Sequence, residues 1–178
     1  MEIILVIIIV LILVGLLTSN QKNVSNETKI EEASKEEFKL FLKGYLSKEY
    51  HIKVCYDQII DSGCVDGLKL DFGLFSKHFK AIQIQMLLAC IEKHLEGDNY
   101  DNFYQTINEV VNTVDGDIWS LVKNTYKKSY NSGGVSEMVE SLNEKPFKRR
   151  FDNNLKSYLV SEMDIMEEQF DTIIKVYL

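Results

Sequence analysis

The first pattern along the chain is a run with no polar side. From Ile3 to Leu17, fifteen consecutive residues (IILVIIIVLILVGLL) carry no charge and no amide. A helix in a soluble core ordinarily keeps a polar stripe, so this run argues for a hydrocarbon environment. A bilayer-spanning helix takes about 17–25 residues. Met1, Thr18 and Ser19 can extend this one, because hydroxyls bond back to helix carbonyls, and local thinning of the bilayer absorbs the remaining mismatch. A cleaved signal peptide fits less well. The n-region is Met1-Glu2, without positive charge, and the exit at residues 16–20 (LLTSN) is a poor small-x-small site. The expected organisation is a transmembrane anchor over residues 1–19, a polar tether over 20–33 and a helical domain over 34–178. If the N-terminus were cleaved, a secreted helical protein would result.

Beyond the tether the period changes to that of amphipathic helices. Ser34-Lys35-Glu36-Glu37 has the form of a capping box, in which hydroxyl and carboxylate satisfy free amides reciprocally. It predicts a helix with Phe38, Phe41, Leu42, Tyr45 and Leu46 on one face. A short helix over 48–60 follows, using Ile52, Cys55, Tyr56, Ile59 and Ile60, and turn residues make 61–67 a loop. Residues 73–96 carry two apolar stripes, Phe75-Phe79-Ile82-Met86-Cys90 and Ile84-Leu88-Ile91-Leu95. Contacts on two sides are expected of the central helix of a bundle. Gly97 reads as a left-handed cap and Asp98 as the start of a helix bearing Phe103, Ile107, Val110, Val111 and Val114.

Asp117 then reads as the cap of a helix with Ile118, Leu121 and Val122 beside Trp119, Tyr126 and Tyr130, stopped by residues 131–134 (NSGG). A short helix over 136–142 leads to Pro146, which suits the first turn of the last helix. That helix has the clearest period: Phe147, Phe151, Leu155, Leu159, Met163, Met166, Phe170, Ile173 and Tyr177. Tyr100, Tyr104, Tyr126 and Tyr130 are expected to be partly exposed. The fold class is all-α, an N-terminal single transmembrane helix followed by a compact helical bundle of about five to seven helices.

Charge narrows the function classes. A net charge of −7 argues against broad nucleic-acid binding, which needs Lys and Arg to neutralise phosphates. No Lys or Arg precedes the apolar run, whereas Lys22, Lys29 and Lys35 follow it, so the positive-inside bias places the C-terminal domain in the cytoplasm. The three cysteines, Cys55, Cys64 and Cys90, form no CxxC pair and read as reduced thiols. A Cys55–Cys64 bridge is the alternative in an oxidising space.

Two constellations could carry chemistry. Cys90 and His94 share a helix face; a metal there would need further ligands from His51, His78, Cys55 or Cys64. The same pair could form a thiolate–imidazole nucleophile, although a core cysteine beside a hydrogen-bonded histidine is the simpler reading. The sharper feature is the stretch at 145–150 (KPFKRR), with the chain's only two arginines, placed by pattern at a helix start. Free amides and the basic side chains of Lys145, Lys148, Arg149 and Arg150 together suit a phosphate or lipid headgroup. Asp164, Glu167, Glu168 and Asp171 read as a solvated acidic face.

Phosphate-binding glycine loops, GxSxG, HExxH and dinucleotide fingerprints are absent from the sequence, so no catalytic residue, metal or cofactor is assigned. The expected function is a membrane-anchored helical interaction module. Its partners would be a bilayer, reached through residues 3–17, and another protein. The alternative is a small thiol/His-dependent enzyme or metal sensor centred on Cys90 and His94.

Overall fold

A computed structural model describes residues 24–62, 71–142 and 151–177. Helix accounts for 93% of these residues and no strand occurs among them, so the fold is all-α. In chain order the elements are α1 (Val24–Ser47), α2 (Tyr50–Asp61), α3 (Phe72–His94) and α4 (Gly97–Val114). After these come α5 (Gly116–Leu121), a π-helical segment (Val122–Tyr126), α6 (Lys127–Leu142) and α7 (Asn153–Tyr177). None of the described helices is long and apolar enough to cross a membrane. The apolar run 3–17 lies outside the described residues, as do Cys64 and the basic stretch 145–150.

The core is organised around α3. Both of its expected stripes are buried apart from half-buried Leu95, and Ala81 through Leu88 are buried without interruption. Eight consecutive residues make more than two turns, so α3 is covered in every direction around its axis. Helix α7 forms its most extensive interface, and α2, α4, α5, the π segment and α6 also pack on it. Asp71 caps the start of α3, its carboxylate accepting from Gly73 N at 2.7 Å. The chain then reverses at Gly97, whose φ of +62° only glycine adopts without strain.

Three expected boundaries change. Helix α1 is already helical at Val24, ahead of the Ser34 capping box; acidic and basic residues without an apolar period still favour helix, and such a segment reads as tether when periodicity is the only guide. The cap of α5 is Asp115, which accepts from Asp117 N at 3.0 Å, so the expected Asp117 lies in the first turn. The expected stop at 131–134 is present: Gly133 and Gly134 leave helical geometry, with φ +64° and ψ −147° at Gly134, so α6 is two helical segments joined at a kink.

The largest change concerns the last helix. Phe151 and Asp152 are non-helical, and α7 starts at Asn153. The Asp152 carboxylate accepts from Leu155 N at 2.8 Å. An acidic cap suits the positive end of the helix dipole, which basic side chains oppose. The residues 145–150 therefore do not open α7. Further along α7, Leu155, Leu159, Met163, Met166 and Phe170 are buried as expected, but Ile174 rather than Ile173 completes the stripe.

Candidate functional site

Among the described residues, the densest gathering of ligand-type side chains lies between α2 and α7. His51 and Cys55, four residues apart, share one face of α2, and Glu162 meets them from α7. One donor atom from each lies within 4.8 Å of the other two. His51 Nε2 is 3.0 Å from Glu162 Oε2, an approach across 111 positions of sequence. The edge of the His51 ring packs on Phe79 of α3, with centroids 6.0 Å apart, which limits its rotation. The Tyr158 hydroxyl, one turn before Glu162, donates to the Cys55 thiol. Burial first, and then the Glu162 carboxylate, push that thiol up to about 12. Cys55 is a free thiol, fully buried, whereas the side chains of His51 and Glu162 are 40% and 27% exposed. The cluster therefore has a dry sulfur floor and a solvent-facing rim.

Cys90 and His94 take separate partners. The Cys90 thiol donates to the Glu167 carbonyl oxygen at 3.6 Å, and burial with the Glu167 and Asp171 carboxylates pushes it up to about 12. His94 Nε2 engages Asp171, which also binds Lys93 and Lys175. Those Lys and His donors hold the Asp171 carboxyl well below the ordinary carboxylate range. Glu167 accepts from the Tyr130 hydroxyl at 3.2 Å. Half of the acidic face expected on α7 thus serves helix-to-helix contacts, while Asp164 and Glu168 are exposed.

The third polar cluster is internal. His78 Nδ1 is hydrogen-bonded to the Tyr126 hydroxyl at 2.8 Å. Tyr126 is fully buried, not partly exposed as expected, while Tyr100, Tyr104 and Tyr130 are half-buried. The wider π turn at Val122–Tyr126 accounts for this: it keeps every fourth residue nearer one face, so Tyr126 follows Ile118 and Val122 inward.

The chain matches no family model, no curated protein and no solved structure. The reading of the site therefore rests on its chemistry.

Of the side chains singled out from sequence, Cys90 and His94 each take a separate partner on α7, and Lys145, Lys148, Arg149 and Arg150 lie outside the described residues. The His51–Cys55 pair has the same four-residue spacing as Cys90–His94, and both residues were visible in the sequence as ligands in reserve, two of the three in the α2–α7 cluster. Its carboxylate was not, because nothing local to residue 162 points to residue 51.

Proposed function

We propose that this chain is a membrane-tethered helical binding module, held at a bilayer by residues 3–17 and presenting its bundle to another protein. The observation that carries the reading is the course of α1. It is helical from Val24, the first described residue, and enters the core through Phe38, Leu42 and Leu46, all fully buried. From Val24 to Phe38 the helix rises about 20 Å. A helical spacer of that length sets the bundle off from whatever holds residues 3–17, and confinement at a surface raises the effective concentration of even a weak partner contact. The described thiol and imidazole groups at Cys90 and His94 are engaged in packing contacts, which favours binding over thiol catalysis.

The direct test compares the full chain with residues 20–178 in washed membranes. The full chain is expected in the membrane fraction after alkaline carbonate and the shortened one in the supernatant. Extraction of the full chain by carbonate overturns the anchor. Protease treatment of intact cells, following a C-terminal tag, tests the cytoplasmic placement; a tag lost before the cells are broken reverses it.

Contact of Lys145, Lys148, Arg149 and Arg150 with anionic headgroups is a separate part of the proposal, supported by sequence alone. Changing Lys148, Arg149 and Arg150 to Glu is expected to weaken binding of residues 20–178 to phosphatidylserine vesicles without loss of helicity. Undiminished binding removes that part only.

A further inference from the structure

The geometry points to a divalent transition-metal site of the zinc class at His51, Cys55 and Glu162, one that pins α2 to α7. Two observations converge on it. The donors are an imidazole, a thiol and a carboxylate, the set that zinc takes in proteins, and a mixed sulfur–nitrogen–oxygen set disfavours calcium or magnesium. Their donor atoms already lie within 4.8 Å of one another. Tetrahedral bonds of about 2.0–2.3 Å place donors roughly 3.5 Å apart, so the donors need draw together by only about an ångström to close the site.

The surroundings also suit a metal. Phe79 fixes the His51 ring edge-on, and the Tyr158 hydroxyl donates to the Cys55 sulfur. Such outer contacts orient ligands before the ion arrives. Sulfur sits at the buried end, while the exposed edges of His51 and Glu162 form the entry path. Three protein ligands leave a fourth position for water, the arrangement of an exchangeable rather than a sealed site. On binding, Cys55 loses its thiol proton to solvent and the ion takes the place of the direct His51–Glu162 hydrogen bond.

The consequence for the fold follows from α2 itself. This helix of twelve residues is held by only three buried side chains, Ile52, Cys55 and Ile59. A metal bridging two of its residues to α7 adds a cross-link to those apolar contacts.

The experiment uses the tag-free full chain in detergent, treated with chelator and then titrated with Co²⁺, which takes zinc's donor set but is visible by absorption. A thiolate-to-cobalt charge-transfer band is expected, displaced by Zn²⁺. Zn²⁺ is also expected to raise the melting temperature of the wild type. Glu162→Gln and His51→Gln, both at partly exposed positions, are expected to lower affinity more than about tenfold while keeping the wild-type circular dichroism. Cys55→Ser is expected to abolish the band, with Cys64→Ser and Cys90→Ser retaining it. No band in folded wild type overturns the site. So does a band lost with Cys64→Ser or Cys90→Ser but kept in Cys55→Ser, or undiminished affinity in both folded Glu162→Gln and His51→Gln.

Discussion

Phe79 shows what a single position contributes when it touches two neighbourhoods at once. It is fully buried on α3, tilted against Phe75 at 5.5 Å and edge-on to His51. Truncation of such a ring removes its transfer free energy and leaves a cavity, so Phe79→Ala is expected to cost about 3–5 kcal/mol by denaturant titration. Gln85 makes the opposite case. Its side-chain carbonyl is buried without a hydrogen-bond partner among the described residues. Gln85→Met keeps the shape and removes the unpaired acceptor, so it should raise stability by about 1–3 kcal/mol; a destabilised variant would show that the amide is satisfied. Tyr45 supplies the pH dependence. Burial, opposed by the hydrogen bond from Gln83, raises its hydroxyl from 10.0 to about 12. The folded state therefore favours the protonated form. Its contribution is intact below pH 10 and is lost as pH rises through about 12. Tyrosinate absorbance and far-ultraviolet circular dichroism should accordingly change together on the alkaline side, not in sequence.

At the scale of elements, the terminating residues decide where each helix lies. Gly134 sits at φ +64° and ψ −147°, a region open to glycine almost alone. Gly134→Ala is expected to lose about 1–3 kcal/mol, read as a lowered denaturation midpoint. Asp152→Ala removes the acceptor that caps α7 and should cost about 1 kcal/mol. The periodicity of the last helix was plain in the sequence, but its start was not. Phe147 and Phe151 continue the three–four spacing of Leu155 and Leu159, so pattern alone runs the helix back past a cap that only hydrogen bonding reveals. Register drifts for the same reason at the other end, where Ile174 displaces Ile173: 3.6 residues per turn does not divide evenly into steps of three and four. The π segment is the extreme case, since its extra width depends on what α3 offers to Tyr126.

Across the whole molecule, burial is unequal. The middle of α3 has no exposed side, whereas α2 presents Tyr50 and Ile60 to solvent, 72% and 39% exposed. Amide hydrogens in the middle of α3 are expected to exchange only through global unfolding, with α2 opening at lower free energy. Native-state exchange across a denaturant series checks this, and equal protection of both helices would contradict it. The all-helical class, the central place of α3 and most of its buried stripe follow from the spacing of apolar residues, because a helix shows its buried face within a few turns of its own sequence. The net charge and the missing catalytic motifs follow from composition. What tertiary structure alone decided is which polar groups meet. Cys90–His94 and His51–Cys55 are equivalent as spacings, yet the fold gives the first pair separate partners and brings Glu162 to the second. Pair formation between distant helices depends on how both pack on α3, and no local pattern encodes that distance.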